Sequence, residues 1–102
     1  MKKLRVSHLA EADLDEIWLF VATDRPGVAD KLLDRFRQQF LLLMQNPELG
    51  EQREDLATDL RQMTVGNYIV LYLIQNEWIE VARVIHGARD IPVEYRRRFF
   101  GK

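Results

Sequence analysis

Three β-favouring runs, Asp59–Val65, Tyr68–Gln75 and Trp78–His86, are separated only by the dipeptides Gly66-Asn67 and Asn76-Glu77. So short a connection closes a hairpin and nothing else, so the stretch must fold as a three-stranded antiparallel meander. The leading glycine suits a type II′ turn at Gly66. With both loops this short, cross-strand partners can be counted: Val65 faces Tyr68, Met63 faces Val70, Arg61 faces Tyr72, and Val70 faces Arg83. On that count Arg61, Tyr72 and Arg83 share one face. Leu60, Ile69, Leu71, Leu73, Ala82 and Val84 fall on the other, which is assigned to the helices; one bulge between Trp78 and Arg83 would invert part of the assignment.

Ahead of the meander the period changes to helical. Leu4–Val6 reads as a short strand and Ser7 as an N-cap for a helix to about Thr23, with Ala10, Leu14, Ile17, Trp18 and Val21 on its buried face. Asp24-Arg25-Pro26-Gly27 breaks and restarts the helix, with Asp24 able to cap and Pro26 tolerated in the first turn. The second helix runs to about Gln45 on a stripe of Ala29, Leu32, Leu33, Phe36, Phe40, Leu43 and Met44, and Asn46-Pro47 ends it. So short a link makes the two helices antiparallel neighbours. The expected fold is one α+β domain over 1–102: an N-terminal strand, a two-helix hairpin, then the meander with the helices on one sheet face.

Composition narrows the function. Cysteine is absent, which removes disulfides and thiolate zinc sites, and His8 and His86 are the only histidines, so no metal site or other cofactor is expected. No P-loop or dinucleotide fingerprint occurs. Nothing approaches membrane-spanning length, and a cytoplasmic protein without a membrane partner is expected. Fifteen basic against sixteen acidic residues does not suit a general polyanion binder. The charges are nevertheless segregated, with acids concentrated on the helices and bases towards the C-terminus.

Candidate chemistry collects where the last strand ends. Val81-Ala82-Arg83-Val84-Ile85 leads into His86-Gly87-Ala88-Arg89-Asp90, which offers an imidazole, guanidinium groups and a carboxylate. His86 can exchange a proton near neutral pH, and Arg61 and Arg83 can hold phosphate. A structural role is equally open to them: His86 bonded to backbone or Asp90, the arginines stapled to nearby carboxylates. Further on, Tyr95 and Arg96-Arg97-Arg98-Phe99 combine charge with aromatic surface, as binding hot spots do.

Taken in order, the chain resembles the ParE branch of the RelE/ParE toxins of type II toxin–antitoxin pairs, also known as plasmid stabilization proteins. The resemblance rests on Ser7, Ala10, Asp13-Leu14 and Ile17; Ala29; Asn46-Pro47 with Gly50; Leu60-Arg61; Tyr68 and Leu71-Tyr72; and Val81, Arg83-Val84 with His86-Gly87-Ala88-Arg89-Asp90. It implies a helical hairpin on a small antiparallel sheet, and a protein that inhibits DNA gyrase without a hydrolytic centre and is neutralised by a cognate antitoxin. It also implies an alternative, the RelE-like activity of cutting messenger RNA on the ribosome, in which Arg61, Arg83 and His86 would be catalytic. A toxin-derived binding module without toxicity is a third reading. Against the nuclease, the connection before the meander carries Glu51, Glu54, Asp55 and Asp59, which would repel a phosphodiester.

On the gyrase reading the expected target contacts are Arg61, Tyr72, Arg83, His86, Arg89, Tyr95, Arg96, Arg97, Arg98 and Phe99. Leu19, Phe20, Leu41 and Leu42 lie outside both helical core stripes. Together with Met63, Val70 and Val81 on the Arg61 face, they are the expected antitoxin surface.

Overall fold

A computed structural model describes residues 1–87. Strand β1 (Lys3–Val6) leads into helices α1 (His8–Asp24) and α2 (Pro26–Gln45). A 3-10 turn (Pro47–Leu49) and a short strand β2 (Glu51–Gln52) follow, then β3 (Leu60–Val65), β4 (Tyr68–Gln75) and β5 (Trp78–His86). The sheet order is β1-β5-β4-β3-β2. The meander is antiparallel as expected, while β1 runs parallel to β5 with Leu4 opposite Ile79. Both β1 and the two-residue β2 complete the sheet at its edges; neither position is legible from hydrophobic pattern alone.

Local signals account for most boundaries. Ser7 caps α1 through its hydroxyl, which accepts from the Ala10 N–H at 3.1 Å, and donates to the Ala82 carbonyl at 2.9 Å, so one side chain fixes both the helix start and its seat on β5. Gly66 takes φ +59 while Asn67 keeps a negative φ, the sign pattern of a type II′ turn. Asp24 does not cap α2: it ends α1, and Arg25 occupies the cap position without a side-chain bond. Trp18, expected in the core, stands at the rim of the hairpin, where its Nε1 donates to Asp30 Oδ1 at 3.1 Å and ties α1 to α2.

The helices cover the opposite sheet face from the one expected. The main core joins Ala10, Phe36 and Leu43 of the helices to Met63, Val65, Val70, Tyr72, Ile79, Val81 and Val84. Of the residues assigned to the helices only Val84 is there. Leu60, Leu71 and Ile85 form a second cluster on the other face, with Leu56, Ala57, Ile69 and Leu73 packed against it. Both faces of the meander are apolar, so alternation does not choose between them. The polar ends of Arg61 and Tyr72 suggested solvent, but backbone groups of the α2–β3 connection satisfy them.

The bulge falls at Ala82. Val81 pairs with Tyr72, but Arg83 pairs with Leu71 and Val84 with Val70, so the expected pairing of Val70 with Arg83 does not form. Arg61 and Tyr72 remain opposite one another, and Arg83 leaves their row. Among the described residues no helix is long and apolar enough to cross a membrane.

Candidate functional site

The sequence-predicted site separates into three distinct places. The first is a polar knot beneath the α2–β3 connection. Tyr72 is fully buried; its hydroxyl accepts from the Gly50 N–H at 2.8 Å and donates to the Pro47 carbonyl at 2.8 Å. Beside it, Arg61 NH1 donates to the Gly50 carbonyl at 2.7 Å and the Glu48 carbonyl at 3.3 Å. Together the two side chains tie the 3-10 turn and Gly50 to the sheet, and they satisfy both the N–H and the carbonyl of the buried Gly50. Tyr72 is therefore a strut of the interior and not an open target contact.

Burial pushes the Tyr72 hydroxyl above the ordinary tyrosine range, opposed by the Gly50 hydrogen bond and by Arg61. The folded state thus disfavours the tyrosinate, which the unfolded chain forms from about pH 10. The contribution is complete below that pH and is lost as pH rises through the folded value. Tyr72→Phe should cost about 1–3 kcal/mol at neutral pH, because Gly50 N–H loses its acceptor, and should remove part of the alkaline loss of stability. Urea unfolding at pH 7 and above pH 10 checks both; an unchanged alkaline loss in the variant would contradict the assignment.

The second place is the bulge. Arg83 is buried, and its guanidinium meets Asp13 of α1 in a fork, Nε to Oδ2 at 2.6 Å and NH2 to Oδ1 at 2.8 Å. Asp13 Oδ2 also accepts from the Val84 N–H at 2.9 Å. One carboxylate therefore binds both the charge and the backbone beside the irregularity of β5. Asp13 lies three residues after Ala10 and four before Ile17, on the apolar stripe of α1. A carboxylate on that stripe signals a buried cation, and sequence reasoning did not use it.

The third place is the exposed end of β5. His86 meets the ring of Tyr68 edge-on, with centroids 5.4 Å apart and planes at 83°, and Tyr68 in turn packs on Phe36. Gly87 N–H donates to the Asn67 carbonyl at 2.7 Å, fixing the strand exit. Arg89, Tyr95, Arg96, Arg97, Arg98 and Phe99 lie outside the described residues. Among the described residues no group of acids and histidines could hold a metal ion.

The expected partner surface also divides. Met63, Val70 and Val81, expected on an open surface, are instead core residues beneath the helices: Val70 and Val81 are fully covered and only the edge of Met63 reaches solvent. Leu19, Phe20, Leu41 and Leu42 are exposed, Phe20 at 79%. The Trp18–Asp30 bond sets the pairing of the antiparallel helices and places Leu19 and Phe20 near the hairpin tip, at the level of exposed Val28. Leu41 and Leu42 lie about 18 Å away along the hairpin, from helical rise. There Leu42 and Leu49 line a groove of about 420 Å³ with Gln39, Glu51, Met63 and Thr64.

A family profile described as the ParE toxin of the type II toxin–antitoxin system parDE matches residues 4–91. Toxin ParE1 of Caulobacter vibrioides is 32% identical over 93 residues, covering 88% of this chain and 94% of that relative. Toxin ParE3 of the same organism is 29% identical over 87 residues, covering 84% and 87%. In the solved structure titled "Chromosomal ParDE TA system from P. aeruginosa", one chain shares the fold at a TM-score of 0.73 and 22% identity, over 84% of this chain and 96% of that one.

Proposed function

Because the chain belongs to the ParE family of type II toxins, we propose that it poisons DNA gyrase by protein–protein binding and is neutralised by a cognate antitoxin. The observation that carries this reading over the RelE-like ribonuclease is the orientation of the arginines. Cleaving RNA through its 2′-hydroxyl requires cations aimed at the phosphorane as charge develops. Here Arg83 is buried against Asp13, and Arg61 NH1 is bound to carbonyls of the connection. Both work as internal struts. The exposed carboxylates of Glu51 and Glu54 on the same connection would oppose an approaching phosphate, whereas Asp55 is held in a fork by Arg53.

The target contact then falls to what extends beyond the struts, His86 with Arg89 and the segment from Tyr95 to Phe99. Supercoiling by purified gyrase should fall as the chain is added and recover when its antitoxin is supplied. Undiminished supercoiling at saturating protein would contradict the proposal.

The antitoxin reading rests on the two exposed apolar patches. A single helical segment covering both would need about 12 residues to span the 18 Å between them. Phe20→Ser and Leu42→Ser should each weaken the complex about tenfold or more, since each removes an apolar anchor. Calorimetric titration with the antitoxin checks this, with helical content as the control for folding; undiminished affinity in both variants would remove the hairpin from the interface.

A further inference from the structure

The outer edge of β1 carries features that neither the gyrase nor the antitoxin reading uses. Lys3 N–H donates to the Glu77 carbonyl at 2.9 Å and Ser7 N–H to the Val81 carbonyl at 3.0 Å. Strand alternation therefore aims the backbone groups of Lys3, Arg5 and Ser7 at β5 and those of Leu4 and Val6 away from the sheet. No strand pairs with that side of β1 among the described residues. The window is short: Lys2 N–H already donates to the Met44 carbonyl at one end, and α1 begins at the other.

Side chains give this edge a sign. Lys3 and Arg5 are exposed, and their cationic groups lie 5.5 and 5.1 Å from the centre of the Trp78 ring. Arg5 Nε also meets Glu80 Oε1 at 3.2 Å. The Trp78 ring and the Glu80 carboxylate of β5 thus hold the two cations in place. On the opposite face Leu4 and Val6 pack against the main core.

We infer that the β1 edge is a docking site for an extended segment of a partner polypeptide in which acidic and apolar residues alternate. An added strand bonded to Leu4 and Val6 would place every second side chain opposite Lys3 and Arg5, where opposite charge is favourable. Its remaining side chains would extend the apolar row of Leu4 and Val6. A second copy of this chain does not fit: antiparallel pairing of two β1 edges sets Lys3 and Arg5 against the same cations, which is repulsive.

The test uses the full chain, isotopically labelled, with a blocked eight-residue peptide of alternating Glu and Val as probe. Amide exchange of Leu4 and Val6 should slow on adding the peptide by about fivefold or more, with exchange at Lys3 and Arg5 unchanged. A peptide of alternating Lys and Val should have no effect, and the double substitution Lys3→Glu with Arg5→Glu should exchange that preference. Equal protection by both peptides, no protection by either, or protection of Leu4 and Val6 that grows with protein concentration alone would each overturn the inference.

Discussion

Replacing Asp13 by alanine should destabilise the fold by about 3–5 kcal/mol, the cost of leaving a buried charge without its paired carboxylate. Arg83 is only 4% exposed, so water cannot take over that role, and the same substitution strips the acceptor from the Val84 N–H. Against a typical total of about 5–15 kcal/mol the loss is large. The ion pair of Arg37 with Asp34, exposed on both sides, is the control: Asp34→Ala should change stability by less than about 1 kcal/mol. Urea midpoints of the two variants give the comparison. A loss at Asp13 no larger than at Asp34 would show that the fork is not a buried anchor. If the pair is the cause, Arg83→Met on the Asp13→Ala background should recover part of the loss, because the stranded charge is then gone.

Gly50→Ala should cost about 2–4 kcal/mol, combining overpacking with damage to the Tyr72 hydrogen bonds. A methyl group there would sit 2.4 Å from the Gln62 carbonyl and 2.7 Å from the Tyr72 hydroxyl. The first neighbour is backbone of β3 and cannot swing aside, so the connection itself must move. Gly27 is the contrast: nothing lies within 4 Å of its added methyl, and it sits in the first turn of α2. Gly27→Ala should therefore be neutral or stabilising by up to about 1 kcal/mol. Thermal melts of both variants check the pair; equal shifts would mean that the tight packing at Gly50 has no energetic consequence.

Element boundaries were legible because each rests on local chemistry. Ser7 as a cap, Pro26 at the start of α2, Asn46-Pro47 at its end and the paired dipeptides of the meander all act within a few residues of themselves. The covered face was not legible, because Leu60, Ile69, Leu71 and Leu73 compete with Met63, Val65, Val70 and Val81 on nearly equal terms. What decides is where Arg61 and Tyr72 find partners, and those are backbone atoms at Pro47, Glu48 and Gly50, distant in sequence and without a side-chain signal. The sequence allows for a bulge between Trp78 and Arg83, but its occurrence at Ala82 was not legible for a similar reason, since Arg83 is held by Asp13 70 residues away. Asp13 itself was within reach, as a carboxylate placed on an apolar helical stripe. The resemblance through Asn46-Pro47, Gly50, Arg61 and Tyr72 thus follows residues that build the interior, and that is why it reported the fold better than it reported the contact surface.

The fate of transcripts in a translating extract tests most directly whether Arg61 and Arg83 are struts or reagents. Purified chain, free of contaminating ribonuclease, should leave messenger RNA intact at concentrations that stop gyrase supercoiling, and the His86→Ala variant should leave it equally intact. Cleavage of messenger RNA in the ribosomal A site, abolished by His86→Ala, would contradict the account.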